Sequence, residues 1–137
     1  MIQLTVPGEP VGKARPRVTK GGFVYTPKKT VNYETLIKEI FAISYPDFCP
    51  IEGPVSLNVQ AYLKIPKVSA KKTEAMSNGD ILPTKKPDMS NILKSVEDAL
   101  NTLAYRDDKQ IVNAIIIKRY SARPRIEVRV EEIRSDD

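Results

Sequence analysis

Residues that could carry out chemistry are concentrated between positions 85 and 110, in the stretch KKPDMSNILKSVEDALNTLAYRDDKQ. Lys94 lies there among five acids, which are Asp88, Glu97, Asp98, Asp107 and Asp108. Carboxylate oxygens are ligands that Mg²⁺ prefers, and one or two of them together with waters are enough for many Mg²⁺ sites. Next to phosphate-binding loops, such a site would be suited to metal-assisted hydrolysis of a phosphodiester.

Four of these acids, all but Glu97, also have a purely structural interpretation. The run Pro87, Asp88, Ser90 is typical of a helix start, where a carboxylate or hydroxyl accepts backbone N–H bonds. A paired Asp before a strand also suits a surface turn. Lys94 and Asp98 stand four residues apart, and such an ion pair is worth only about 0.3–0.5 kcal/mol. The combination of all three features favours chemistry.

The segment SNILKSVEDALNTL is predicted to form the helix that positions most of these groups. An apolar stripe with helical spacing is made by Ile92, Leu93, Val96, Ala99, Leu100 and Leu103. On the opposite side, Ser90, Lys94, Glu97 and Asn101 fall within roughly 60° of arc. Glu97 shares that face with Ser90 but lies about 10 Å further along the helix axis. At that distance it is far for Glu97 to take the place of a metal ligand at position 90.

The remaining pattern predicts a single α+β domain, residues 1–137, with a mixed or antiparallel sheet and two main helices. The other main helix, which comes earlier in the chain, is predicted in VNYETLIKEIFAI. Strands are predicted in IQLTV, PVSLNVQAYLKI, QIVNAIIIKRY and RIEVRVEEI. The last two strands are joined by SARP, which is predicted to be a hairpin connection. The acidic tail from residue 131 is expected to fray.

Composition excludes several classes of enzyme. There is no histidine, which removes Ser–His and Cys–His catalysis and zinc sites of the HExxH type. The single cysteine, Cys49, cannot form an internal disulfide and is expected to be a small buried residue. No run approaches the roughly 18 apolar residues of a membrane span, and the N-terminus lacks a signal-peptide pattern. We therefore expect a cytoplasmic protein without a membrane partner.

Two basic segments suggest a surface for the phosphate backbone. Residues 11–29 carry six Lys or Arg and no acid, and residues 64–86 carry six lysines against Glu74 and Asp80. Their Gly, Pro and Ser content predicts loops. Either segment alone could equally serve solubility, but the second leads directly into the KKPD motif. The candidates for phosphate contact are Arg15, Arg17, Lys71, Lys72 and Lys85.

The stretch KKPDMSNILKSVEDALNTLAYRDDKQI resembles the RusA family of Holliday junction resolvases. That family has roughly K-P-D-x-D-N-L-x-K, then D-A-L-N, then D-D-x-Q, and the openings VPGEPVGKARPR and YTPKKT are similar to it as well. The resemblance covers almost the whole chain. It implies a small homodimeric endonuclease that depends on Mg²⁺, with Mn²⁺ as an alternative, and cuts four-way DNA junctions in recombination and repair.

The resemblance also implies roles for individual residues. Asp88 and Asp108 match the first and last metal-site aspartates, and Lys94 matches the functional lysine, so these three are the expected catalytic residues. The expected metal ligands are Asp88, Asp108, Asp107 and Ser90. The expected DNA-binding residues are Lys13, Arg15, Arg17, Lys71, Lys72, Lys85, Lys86 and Asn91.

One position departs from the family pattern. Ser90 stands where the family usually has its second aspartate, and serine is a neutral, weaker ligand for Mg²⁺. Three explanations compete: a variant site completed by another carboxylate such as Glu97 acting through water, a junction-binding protein without catalysis, or a residue altered from the natural one. The rival class is a nucleic-acid-binding protein whose acids serve as caps and turns, and a third alternative is a basic RNA-binding domain without a metal. A plain binder gains nothing from carboxylates beside phosphate, which favours the nuclease.

Overall fold

The computed structural model describes residues 1–134, so residues 135–137 of the acidic tail lie outside the described part of the chain. Glu131 and Glu132 of that tail belong to the last strand. In chain order the elements are β1 (Ile2–Pro7), β2 (Arg17–Val18), β3 (Val24–Tyr25), α1 (Lys28–Ser44), β4 (Val55–Lys64), α2 (Ala70–Ser77), α3 (Met89–Leu100), a 3₁₀ helix (Asp108–Gln110), β5 (Ile111–Ser121) and β6 (Arg125–Glu132).

The main sheet has four strands in the order β1-β6-β4-β5, and β2 pairs with β3 in a separate small hairpin. β4 and β5 are parallel, whereas β6 is antiparallel to both β1 and β4. The chain from β4 to its parallel neighbour β5 passes through α3, as parallel strands require a crossover connection. The prediction of a single α+β domain with a mixed sheet is therefore confirmed.

The core lies between one face of the sheet and the two long helices. β4 alternates strictly, with every second residue from Val55 to Leu63 buried. α3 buries the predicted stripe most completely at Ile92, Val96, Ala99 and Leu100. α1 contributes Ile37 and Phe41 at helical spacing, and the antiparallel β6 adds alternate residues such as Val128. This packing fixes α3, and with it the polar face of α3 that carries Lys94.

The predicted hairpin between the last two strands is wrong. β5 and β6 lie on opposite sides of β4 and do not pair with each other. Two strand spacings amount to about 9.5 Å, and the four Cα steps from Ser121 to Arg125 reach about 13 Å. A three-residue connection is therefore long enough to step across β4, and its length does not identify a hairpin.

Three local predictions also need correction. The basic segment 64–86 contains the eight-residue helix α2. Ser69 caps its N-terminus, because the Ser69 hydroxyl accepts a hydrogen bond from the Lys72 backbone N–H at 3.3 Å. The segment 11–29 contains the β2–β3 hairpin and the first residues of α1. Cys49 is exposed, because it lies in the irregular segment between α1 and β4. α2 lacks an apolar stripe, since Met76 is its one buried residue.

Candidate active site

Asp88 lies at the N-terminal end of α3 and has an unused carboxylate. Its backbone is extended, and its carbonyl oxygen accepts the first helical bonds from the N–H groups of Asn91 and Ile92, both at 3.1 Å. Its side chain makes no capping hydrogen bond. Ser90 follows in the first turn and is also exposed. The carboxylate of Asp88 is thus available for another ligand.

Lys94 lies between two carboxylates that come from different parts of the chain. Its Nζ is 3.3 Å from Oδ1 of Asp98 and 3.9 Å from Oδ2 of Asp108. The hydrogen bond and charge of Asp98 raise the pKa of Lys94, and the charges of Asp108 and Glu97 add to this effect. Lys94 therefore stays protonated at neutral pH, which suits it to stabilise negative charge and not to act as a base.

A second lysine holds Asp98 from its other side. Lys13 Nζ is 3.1 Å from Oδ2 of Asp98 and 2.7 Å from Oε1 of Glu34, which lies on α1. Burial tends to lower the pKa of Lys13, but the hydrogen bonds and charges of Glu34 and Asp98 outweigh it, so the pKa is raised. Alternating charges therefore run continuously from Asp108 through Lys94, Asp98 and Lys13 to Glu34.

Lys13 reaches this position because its segment packs closely on the start of α3. The Lys13 backbone N–H donates to the Asn91 carbonyl at 2.8 Å, and the Ser95 hydroxyl donates to the Val11 carbonyl at 3.0 Å. A Cβ at Gly12 would lie 3.0 Å from the Cβ atoms of both Asn91 and Pro87. Any larger residue at Gly12 would therefore push the segment away from the helix, and the Lys13 ammonium with it.

The Asp107–Asp108 pair is held by a capping box on the 3₁₀ helix. Asp107 Oδ1 accepts from the Lys109 N–H at 2.9 Å, and Gln110 Oε1 accepts from the Asp107 N–H at 2.8 Å. The hydrogen bond from the Lys109 N–H lowers the pKa of Asp107. Gln110 also donates to the Ile51 carbonyl at 2.7 Å, which ties this turn to the body of the domain. Asp107 thus orients the turn and leaves Asp108 facing Lys94.

Glu97 belongs to the same cluster of charges. Burial raises the pKa of its carboxyl group, and the nearby charges of Asp108 and Asp98 raise it further, against the opposing effect of Lys94. Its backbone carbonyl accepts a hydrogen bond of 2.7 Å from the buried Tyr105 hydroxyl. The sequence predicts Glu97 on the same helix face as Ser90. In the folded chain, the charges that act on its carboxyl group are those of Lys94, Asp108 and Asp98.

The available donors suit a Mg²⁺ ion that keeps several waters better than a metal ion that requires four protein ligands. Within residues 1–134, no three or more Asp, Glu, Cys or His side chains are arranged to hold one ion. Asp98 is occupied by two lysines and Asp107 by its cap. The remaining carboxylates are those of Asp88, of Asp108, which faces Lys94 at 3.9 Å, and of Glu97, whose pKa is raised by burial, so Asp88 and Asp108 are the better donors. Two carboxylates completed by waters are a donor set that Mg²⁺ accepts, whereas structural zinc requires four protein ligands.

The predicted DNA-binding residues fall into two groups. Arg17, Lys85 and Lys86 line one cleft of about 540 Å³, together with Lys29, which the sequence did not single out. Pro87, the residue directly before Asp88, also lines this cleft. The other group is scattered: Arg15 is exposed before β2, Asn91 lies in the first turn of α3, Lys13 is engaged by carboxylates, and Lys71 and Lys72 are exposed in the first turn of α2.

Sequence reasoning missed Glu34 and the central place of Asp98. The spacing of Lys94 and Asp98 does predict their ion pair, because residues four apart meet on a helix. No comparable signal links Lys13 to Glu34 or Asp98, since these contacts span 21 and 85 positions and depend on how α1 and α3 pack.

Two comparisons with known proteins bear on this site. Residues 7–131 match the family model described as "Endodeoxyribonuclease RusA". The chain belongs to the RusA endodeoxyribonuclease family. It is also 40% identical over 138 residues to "Uncharacterized protein YqaN" of Bacillus subtilis (strain 168), and the match covers 96% of each chain. The RusA match spans the whole site, from the Lys13 segment to β6.

Proposed function

We propose that this chain, residues 1–137, is a Mg²⁺-dependent endonuclease that hydrolyses phosphodiester bonds in four-way DNA junctions, with Mn²⁺ able to replace Mg²⁺. The observation that carries the proposal is the position of Lys94. Its ammonium group contacts Asp98 and Asp108. It lies on α3, the helix that begins after Asp88, whose carboxylate makes no capping hydrogen bond. Membership of the RusA family supports the same reaction.

The geometry supports the following catalytic roles. Asp88 and Asp108 would hold the metal ion with waters, and Ser90 and Asp107 lie beside them in the chain. The chemistry that Mg²⁺ supplies in such sites is polarisation of the phosphate and activation of water. Lys94 stabilises the negative charge that develops on the phosphate or on the leaving oxygen. Asp98 fixes the position of Lys94, and Lys13 fixes Asp98.

The substrate is held by its phosphates. The cations that line the cleft before Asp88 would contact the backbone close to the scissile bond, and those of α2 would contact an arm further away. Such contacts position a nucleic acid without reading its sequence. Recognition of a junction would then depend on the shape of the DNA. Since DNA is the proposed substrate, the proposal also includes a cytoplasmic location.

The same proposal includes a homodimer formed along β5. Within residues 1–134, β5 is an edge strand of the main sheet and exposes Val112, Ile115 and Ile117. A long apolar edge calls for a partner. Antiparallel pairing of two copies would place Asp107 and Asp108, which precede β5, near the basic end of the other copy's strand, which carries Arg119. Opposite charges therefore favour this arrangement over a parallel one.

Two observations favour a second candidate, a junction-binding protein without catalysis. Ser90 supplies no charge to the site, and the described residues hold no cluster of three metal-binding side chains. In that case the Lys94 network would serve stability and phosphate binding alone.

Substitution of Asp88 by Asn separates the two candidates. In the nuclease, Asp88→Asn should abolish junction cleavage and leave junction affinity equal or higher, because a charge that repels phosphate is removed. Binding and cleavage would be measured on the same labelled junction, by gel shift in EDTA and by product formation in Mg²⁺. Equal loss of both would make Asp88 a structural residue and would contradict its role in the reaction.

A further inference from the structure

The hairpin formed by β2 and β3 exposes an apolar surface that no part of the described chain covers. Its exposed side chains are Phe23 (76%), Val24 (69%), Val18 (65%) and Tyr25 (47%). Val18 ends β2, Val24 and Tyr25 form β3, and Phe23 lies directly before β3 at the end of the turn. Exposed apolar side chains grouped in this way mark a site of interaction.

The tip of the hairpin is ordered by its own hydrogen bonds. The Thr19 N–H donates to the Phe23 carbonyl at 2.8 Å, and the Phe23 N–H donates to the Thr19 hydroxyl at 3.1 Å. The Gly22 N–H donates to the Thr19 carbonyl at 3.0 Å, and Gly22 has a φ of +84°, which glycine adopts without strain. The ring of Phe23 is therefore presented from a defined turn.

The hairpin is also attached next to the candidate active site. Arg17 in β2 lines the same cleft as Lys85, Lys86 and Pro87. Four residues before β2, the Lys13 N–H is bonded to Asn91 of α3. The apolar tip and the Asp88 end of α3 thus belong to neighbouring parts of one surface.

The charge around the tip selects its partner. Residues 11–29 contain no acid, and Arg15, Arg17 and Lys20 are exposed beside the apolar side chains. A hydrophobic protein surface would gain nothing from this excess of positive charge, whereas a nucleic acid offers phosphates for the cations and base faces for the aromatic ring. Proteins that bind single strands or kink duplexes combine these same two elements.

We propose that the β2–β3 hairpin inserts Phe23 against an unstacked base at the branch point of the DNA, while Arg15, Arg17 and Lys20 contact the flanking phosphates. The inference rests on the proposed function in that the substrate is branched DNA. The branch point is where base pairs end and base faces become accessible, so the hairpin distinguishes a junction from a continuous duplex. Tyr25 lies two residues after Phe23 on the same side of the hairpin and widens its stacking surface, whereas the Val18–Val24 pair faces the other side.

The test compares Phe23→Ala, Phe23→Trp and wild type, with Ile43→Ala as control, because Ile43 is an equally exposed apolar residue (81%) on α1. Affinities are measured in EDTA, which prevents cleavage, for a four-way junction with 2-aminopurine at the branch point and for linear duplex with the same arm sequences. Phe23→Ala should weaken junction binding about tenfold, which corresponds to about 1.4 kcal/mol, and change duplex binding by less than about twofold. Phe23→Trp should restore junction binding, and Ile43→Ala should have no effect.

The fluorescence of 2-aminopurine adds a direct readout of stacking. It should change when wild type or Phe23→Trp binds, and this change should be absent with Phe23→Ala. Equal losses on junction and duplex, or no loss on either, would overturn the proposal. Loss of binding to anionic phosphatidylserine vesicles with unchanged junction binding would overturn it in favour of a membrane contact. Cleavage is scored separately in Mg²⁺, so a chain that stacks but never cuts would contradict the proposed function and leave this inference standing.

Discussion

At the scale of single residues, the candidate site depends on a chain of alternating charges. Lys94 is held by Asp98 and Asp108, and Asp98 is held in turn by Lys13. An isolated pair such as Lys94–Asp98 would contribute little on an exposed helix. Its extension to Lys13 and Glu34 fixes Asp98, and Asp98 together with Asp108 positions the Lys94 ammonium, as electrostatic stabilisation of a transition state requires.

Ser90 provides the first prediction at this scale. Ser90→Asp adds a carboxylate to the first turn of α3, on the same helix end as Asp88. We expect it to lower the Mg²⁺ concentration for half-maximal junction cleavage by about tenfold, because an added anionic oxygen strengthens a Mg²⁺ site. Ser90→Asn is the matched neutral control and should give no gain. If neither variant gains and wild type does not cut at any Mg²⁺ concentration, the binding-only function is correct.

Glu97 provides a prediction with opposite effects on stability and activity. The pKa of Glu97 is raised in the folded chain, so ionisation of Glu97 costs folding free energy at neutral pH. Glu97→Gln should therefore raise the free energy of unfolding at pH 7 to 8. This gain should shrink as the pH falls through the raised pKa and vanish below the ordinary value of 4.5, where Glu97 is protonated in both states.

Cleavage by Glu97→Gln should fall modestly, since a negative charge near Asp108 and Lys94 is lost. Urea unfolding at several pH values and junction cleavage measure the two effects. Glu39→Gln, which removes an exposed acid of α1, is the control. A stability difference that does not depend on pH would contradict the electrostatic assignment of Glu97.

At the scale of elements, the apolar patterns in the sequence predicted those helices and strands that face the core. The stripe of α3 and the alternation of β4 follow directly from burial on one side. α2 was missed because its polar residues leave no stripe to detect, and Met76 alone is buried. The neighbours of β5 and β6 could not be read from the short SARP connection, because that connection is long enough to pass over β4.

The exposed lysines of α2 give the prediction at this scale. Lys71 and Lys72 lie in the first turn of α2, so their side chains are free to contact phosphates of a DNA arm. Replacing both with Ala should reduce the magnitude of the log–log salt slope of junction binding by about two, at about 0.9 per phosphate contact. Lys38→Ala, on α1, is the control and should leave the slope unchanged. A slope that is flat in wild type, or unaffected by the double change, would remove α2 from the DNA surface.

At the scale of the whole molecule, helices cover one face of the main sheet, and the long strand β5 forms an edge of the sheet in residues 1–134. α1 and α3 cover the core face, while β5 has β4 as its one strand neighbour in residues 1–134. The sequence indicated apolar residues in β5, but it could not indicate which of them would remain exposed, because that depends on the strand order. Within the same residues, no helix is long and apolar enough to cross a bilayer.

The β5 edge leads to a prediction about assembly. Ile115→Glu should convert a dimer to a monomer, because a two-fold pairing of β5 strands would place two glutamates close together in an apolar interface. Sedimentation velocity at micromolar concentration measures the change, and Ile43→Glu on α1 controls for an added surface charge. An unchanged circular dichroism spectrum should show that Ile115→Glu keeps the fold, while its melting temperature should fall because the monomer loses the stabilisation that association supplies. A variant that remains dimeric would place the interface elsewhere.

The central claim is that this chain cuts branched DNA through the site at Asp88, Lys94 and Asp108. The most direct measurement is cleavage of a synthetic four-way junction by wild type across a range of Mg²⁺ concentrations, beside linear duplex with the same arm sequences. We predict Mg²⁺-dependent incisions in the junction, placed symmetrically in opposing strands, and little or no cutting of the duplex. Tight junction binding without incision at any Mg²⁺ concentration, or equal cutting of junction and duplex, would contradict the claim.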